Sequence, residues 1–252
     1  MPKLRQSIPA LILLIIVLVV WEMAVKGLNV PLWLLPAPSQ VGQALWQTRE
    51  LLWQHALTTV METTAGFALA VLTGIATGLI MGIFPLVKRL FYPFLIISQT
   101  IPLIAVAPLL ILWLGYGLLP KIITVILVCY FPVTISLLEG LETSDPDFTR
   151  LLRSMGASRW QILHLVRWPH ALPSLFAGLK IAATYSVMGA VIGEWLGASS
   201  GLGVYLTNSS HSFLTDRVFA AIFTITVLSF VYFLLISALS WLALPWLTSD
   251  KK

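Results

Sequence analysis

The 252-residue chain is 58% hydrophobic and only 10% charged, with a formal net charge of +5 and a mean hydropathy of +0.94. About a quarter of a soluble domain's residues are charged; a chain this apolar has too little polar surface to face water, so the bilayer is its main solvent. The basic residues are spread over loops instead of gathered on one face, which fits topology-setting charge and argues against a nucleic-acid surface. Cys129 is the only cysteine, so no disulfide can form within the chain, and its apolar surroundings mark it as a small buried hydrophobe.

A spanning helix needs roughly 20 mostly apolar residues. In chain order the candidates are Ile8–Val25, Leu57–Phe84, Phe91–Trp113, Ile122–Leu141, Leu172–Leu196 and Val218–Trp246, about six in all. The first could be a signal peptide, since Lys3 and Arg5 precede it. Its run is long, however, no small-x-small cleavage site follows, and Trp21 and Glu22 stand where cleavage would fall, so a retained helix is expected. A Pro-rich connection and a polar amphipathic piece near 39–54 come next. Two units result: 1–56, the first span with its external amphipathic segment, and 57–246, a core of about five spans.

Six spans put both termini on one side. Lys3, Arg5, Lys88, Arg89, Arg150, Arg153, Arg159, Arg167, Lys251 and Lys252 then share a face, ten of the fifteen Lys and Arg residues. Lys26, Arg49, Lys121 and Arg217 fall opposite, and Lys180 lies within a span. The positive-inside rule places both termini and the 142–173 loop in the cytoplasm.

Gly66, Ala70, Gly74, Gly78 and Gly82 put a small residue at every fourth position of the second span, a ridge that another helix can approach closely. The fifth span has two such rows, Gly178/Ala182/Ser186/Ala190 and Gly189/Gly193/Gly197. Tight packing explains them; lining of a translocation path or a subunit contact is the compatible, sharper reading. Pro102 and Pro108 interrupt the third span, where each removes a backbone donor and bends the helix, beside a path or simply packed. Among ionisable residues, Glu22 and Glu62 lie near outer span ends and Glu139 near an inner one. Lys180 can snorkel to the inner interface. Glu194, in GEWLGASSGLG, precedes a glycine-rich outer turn; it either helps gate the outer mouth or is an interfacial glutamate facing water.

The polar stretch 142–173 carries helix signals at both ends. Asp145 is an N-cap acceptor, Pro146 suits the first helical position, and Asp147 favours the positive helix end. Phe148, Leu151, Leu152 and Met155 follow at i, i+3, i+4 and i+7 as one apolar stripe. Gly156 is placed to end that helix in the left-handed conformation. Ser158 then caps a second helix through Arg159–Trp168, which Pro169 is expected to end. The stripe is covered either by a partner or by the protein's own helix ends and lipid headgroups, aided by Trp160 and Trp168.

No G-x-x-x-x-G-K-[ST] loop occurs, nor a chain of buried carboxylates or histidines suited to a proton relay. Uphill transport would therefore take its energy from a partner through a cytoplasmic helix. His164 and His170 are six apart, not i, i+4; no HExxH is present, and no serine sits in G-x-S-x-G. No catalytic site and no cofactor are expected.

The run GASRWQILHLVRWPHALPSLFAGLKIA resembles the cytoplasmic loop of bacterial ABC-importer permeases, the binding-protein-dependent inner-membrane components. That loop reads EAA, three residues, Gly, nine residues, then I-x-L-P. Gly156 fits the glycine, and Val166, Arg167, Trp168 and Pro169 follow nine residues later. Arg150, Leu151 and Leu152 replace the EAA triplet, and Trp168 replaces leucine. LPAPSQVGQAL, TIPLIAVAPLLILWLGYG and GEWLGASSGLGVYL resemble the nitrate/sulfonate/taurine branch.

The resemblance implies an all-α membrane protein with the MetI-like type I importer permease fold. It also implies a second permease subunit (a homodimer is the family default), two ABC ATPase subunits and an extracytoplasmic solute-binding protein. Asp145–Gly156 would be the coupling helix seated in a groove of the ATPase, so Asp145, Phe148, Leu151, Leu152, Met155, Gly156, Ala157, Ser158 and Pro169 are the coupling residues. Pro102, Pro108, Ser186 and Glu194 are candidates for the path or gate. By the GEWLGASSGLGVYL segment, the solute would be a thiamine-pyrimidine precursor or riboflavin, ahead of sulfonate, taurine or nitrate. The alternative is a secondary transporter or channel acting without an ATPase.

Overall fold

The computed structural model describes residues 2–195 and 197–246. Lys251 and Lys252, counted in the charge balance, lie outside the described residues, as do the side chains of Lys3 and Arg5. The described residues form helices without strands: α1 (Pro2–Gly27), α2 (Pro38–Gln47), α3 (Arg49–Ile83), α4 (Pro85–Ser98), α5 (Leu103–Leu114), α6 (Leu118–Glu142), α7 (Pro146–Ser154), α8 (Arg159–Ile162), a π-helical turn (Leu163–Arg167), α9 (Trp168–Trp195), α10 (Leu202–His211) and α11 (Thr215–Ala243). Among the described residues, four helical stretches are each long and apolar enough to cross a membrane: α3, α6, the continuous helix Arg159–Trp195, and α11. The apolar run Ile8–Val25 lies within α1.

Packing centres on α6, which is held between α3 and α9. The small-residue ridge of α3 explains the closeness. A Cβ added at Gly66 would lie 2.5 Å from Val125 Cβ, and one at Gly74 would lie 3.0 Å from Val133 Cγ1. Gly78 and Gly82 sit similarly against Leu137 and Leu141. Both rows of α9 meet α6 as well: Gly178 faces the Pro132 carbonyl, and Gly189 and Gly193 face the Cα atoms of Val125 and Lys121. Between lipid-immersed helices the driving force is such van der Waals contact. Tight packing is therefore what these rows do within one chain. Val125, Cys129, Val133 and Leu137 on α6 are fully buried with Ala182, Ala183 and Ala190 of α9. The Cys129 thiol donates to the Ala182 carbonyl at 3.3 Å.

Several boundaries differ from the sequence-based expectation. The amphipathic piece ends at Gln47, and α3 begins at Arg49, eight residues before the expected span. Phe91–Trp113 is not one kinked helix. α4 and α5 meet at 100°, and the break falls at Gln99–Pro102, where Pro102 caps α5 in an extended conformation. At 1.5 Å per residue neither piece reaches about 30 Å, so only the pair together could span. Pro102 breaks the helix because its ring and missing N–H forbid continuation. Pro108, by contrast, sits inside α5 without ending it. The glycine-rich turn expected after Glu194 is present at 197–201, and α10 begins directly after it at Leu202.

Candidate coupling surface and buried polar cluster

The loop after α6 folds much as its capping residues require. Asp145 Oδ1 accepts the Asp147 amide at 2.8 Å and starts α7. At the other end Gly156 has φ +82°. There the Gly156 amide donates to the Arg153 carbonyl at 3.0 Å and the Ala157 amide to Leu152 at 2.9 Å, the paired bonds of a Schellman ending. Nothing lies within 4 Å of a Cβ built on Gly156, so its backbone angle, not crowding, is what demands glycine. Ser158 and Gln161 then form a reciprocal capping box, Ser158 N to Gln161 Oε1 at 2.7 Å and Gln161 N to Ser158 Oγ at 3.3 Å.

The apolar stripe of α7 faces outward. Phe148, Leu151 and Met155 are 57%, 55% and 74% exposed, whereas Leu152 is half-buried and Thr149 is buried on the inner side. The protein's own helix ends therefore do not cover the three outer residues. Trp160 is exposed too, and Trp168 packs against the core.

Pro169 does not end a helix. It lies in the first turn of α9, and the chain is helical without interruption from Arg159 to Trp195. The π-helical turn Leu163–Arg167 makes this possible. The Trp168 amide reaches back five residues to the Leu163 carbonyl, which widens the helix just where proline would clash with the preceding turn. The second half of the 142–173 loop and the fifth span are thus one rod with a defect.

Opposite this end of the bundle lies a buried polar cluster that the sequence only partly disclosed. Glu194, near the end of α9, is 1% exposed, so it is not an interfacial glutamate facing water. Its Oε1 accepts the Thr59 hydroxyl and its Oε2 the Gly203 amide, both at 2.6 Å. Thr59 Oγ1 accepts the Leu202 amide at 2.9 Å, and His55 Nδ1 accepts the Gly201 amide at 3.0 Å. The amides of 201–203 at the start of α10 are thereby satisfied by α3 and α9. A carboxylate at this positive helix end is favourable. Gly201, at φ +125°, lies directly under the Glu194 carboxylate, where a Cβ would collide with it.

Glu62 is likewise buried, not at an outer rim. Its Oε1 accepts Lys121 Nζ at 2.5 Å, joining α3 to the first turn of α6. Lys121, counted among the outer-side charges, has its side chain only 10% exposed. Of the other path candidates, Ser186 is buried with its hydroxyl donating to the Ala183 carbonyl at 2.8 Å, while Pro102 and Pro108 are exposed on the bent pair. No hydrogen bond among the described residues joins any two of Pro102, Pro108, Ser186 and Glu194. Lys180 is half-buried on α9.

Comparison with known proteins fits this architecture. Residues 70–240 match the family model described as binding-protein-dependent transport system inner membrane component. A probable ABC transporter permease protein of Haemophilus influenzae is 37% identical, covering 90% of this chain and 92% of its own. The formylaminopyrimidine transport permease protein ThiX of Halalkalibacterium halodurans is 34% identical over 98% of both chains. A crystal structure of an amino acid ABC transporter with histidines shares the fold, with a TM-score of 0.59, 18% identity, and coverage of 79% of this chain and 95% of that one. The chain belongs to the family of binding-protein-dependent ABC-transporter permeases. It is a multi-pass protein of the bacterial inner membrane and a transport subunit, not a catalytic enzyme. The family implies an ATPase and a binding protein as partners.

Proposed function

We propose that the chain forms the translocation path of an ATP-driven importer. In this reading both termini and the 142–173 loop are cytoplasmic, and a separate ATPase docks on α7. The outward stripe Phe148, Leu151 and Met155 carries the proposal, because a two-turn helix gains nothing from three large apolar side chains in water. Burying such side chains is worth about 1.5–3 kcal/mol each, enough to make α7 a docking handle. ATP hydrolysis is then the partner's work, and the continuous rod from Arg159 to Trp195 carries its closure into the bundle. A homodimer of permease chains completes the path, with Pro102, Pro108, Ser186 and Glu194 as path or gate residues.

For the solute, the relative named for formylaminopyrimidine supports a pyrimidine precursor of thiamine, because the similarity runs over almost the entire length of both chains. The binding protein makes the primary selection. The test of coupling is Leu151→Asp or Phe148→Asp in the complete transporter. The ATPase should no longer co-purify while the spans stay folded, and an intact complex with undiminished uptake would refute the docking role. The solute is tested by calorimetric titration of the partner binding protein with formylaminopyrimidine and riboflavin.

A further inference from the structure

Where α3 gives way to α4, the bundle end forms a partly open cavity of about 150 Å³, lined by the exposed Arg153 and Arg159 and the half-buried Arg167 together with Gly82, Ile83 and Leu163. One ordered water needs about 10–15 Å³ of such space, so there is room for a tetrahedral oxyanion. Three guanidinium groups around one small cavity repel one another, and none is neutralised: no ion pair among the described residues involves any of the three. Glu142 and Asp147 are engaged elsewhere, by Lys88 and Arg150.

Capping accounts for part of this arrangement. Arg167 donates one N–H to the Gly82 carbonyl at 3.3 Å, near the C-terminus of α3. Its Nε, however, is buried and has no hydrogen-bond partner. A buried charged donor without an acceptor is costly, and the remaining guanidinium edges match the oxygens of a phosphate group. The surroundings identify the phosphate's carrier. Pro85 lines the same cavity and opens α4, whose next turns present Leu86 and Leu90 at 68% and 57% exposure. A charged head in the cavity and an acyl chain along α4 is the arrangement of an amphiphile.

We infer that Arg153, Arg159 and Arg167 form a binding site for the phosphodiester headgroup of an anionic phospholipid, placed at the joint between the coupling loop and the third helix. A bound lipid would brace the π-helical turn that contributes Arg167.

The experiment uses the whole transporter, delipidated in detergent, and counts bound lipid by native mass spectrometry. The probes are phosphatidylglycerol, phosphatidylcholine and inorganic phosphate. With about fivefold in affinity per basic residue near an anionic headgroup, removal of all three arginines should weaken phosphatidylglycerol about a hundredfold. The expected result is selective retention of phosphatidylglycerol over phosphatidylcholine, lost in R153Q/R159Q/R167Q and kept in the Arg89→Gln control. If the triple variant fails to fold, Arg159→Gln, an exposed side chain, should still cost about fivefold. Inorganic phosphate that binds and displaces the lipid at millimolar concentration would identify free phosphate as the ligand and overturn the lipid assignment. Equal lipid retention in wild type and variants overturns the site altogether. So does loss of the ATPase from the variants with lipid binding unchanged, which would give these arginines to the protein partner.

Discussion

The Glu194 carboxylate accepts the backbone amide of Gly203 at 2.6 Å, across a nine-residue excursion that leaves α9 and returns as α10. The same carboxylate holds Thr59 of α3, so one side chain fixes three helices at one end of the bundle. Glu194→Ala leaves the Gly203 amide buried without an acceptor and the Thr59 hydroxyl with only its longer bond to the His55 carbonyl, at 3.2 Å. Such an orphan costs about 1–3 kcal/mol. The variant should lose thermal stability in detergent, followed by tryptophan fluorescence, and Glu194→Gln should lose less because its carbonyl still accepts. Equal melting of Glu194→Ala and wild type would show that the cluster does not fasten α10.

The ion pair of Lys121 with Glu62 follows a different logic. Breaking a buried pair from one side strands a charge and costs about 3–5 kcal/mol, whereas replacing both partners with apolar groups is often nearly neutral. Lys121→Met alone should therefore destabilise the protein strongly, and Lys121→Met with Glu62→Leu should recover most of the loss. A double variant as unstable as the single one would mean that each residue has a separate task, such as binding solute. A thermal-shift cycle over the four proteins separates the cases.

What was legible in the sequence divides along a physical line. Features set by neighbours in sequence could be read directly: the Asp145 cap, the left-handed Gly156, the Ser158 cap and the small-residue ridge of α3 all depend on local spacing. The buried cluster could not, because Glu62 meets Lys121, and Glu194 meets Thr59 and Gly203, only after the helices pack, and each carboxylate alone resembles a charge near a span end. The role of Pro169 was misread for a related reason. Proline ordinarily ends a helix, and nothing local shows that a π-helical turn at 163–167 absorbs its missing N–H. The 100° bend between α4 and α5 is stronger than Pro102 alone suggested, and Pro108, an equally plain signal, leaves α5 intact.

That ridge gives a direct packing test. A methyl added at Gly66 would meet Val125 Cβ at 2.5 Å, a distance that van der Waals contact does not allow. Overpacking of this kind costs about 1–3 kcal/mol. Gly66→Ala should lower the melting temperature, and adding Val125→Gly should restore part of it, because Val125→Ala would remove the Cγ1 at 2.7 Å but keep the Cβ that collides first. Strict additivity of the two changes would show that these helices do not meet where the structure has them.

Gly156 separates backbone strain from contact. A non-glycine residue held near φ +82° is disfavoured by about 1–2 kcal/mol, and the space around Gly156 is open, so Gly156→Ala should suffer only that penalty. Because α7 makes few contacts with the bundle, the strain should appear as a change in where α7 points, not as global unfolding. The melting temperature of Gly156→Ala should stay within a few degrees of wild type, while ATPase co-purification and binding-protein-stimulated hydrolysis fall. Gly156→Asp should fall further, since its charge stands beside the Phe148–Met155 stripe proposed to enter the partner's groove. Gly156→Asn is the informative control: asparagine tolerates the left-handed region better than alanine, so it should retain more coupling. If Asn and Ala variants couple equally, the angle at Gly156 does not set the direction of α7.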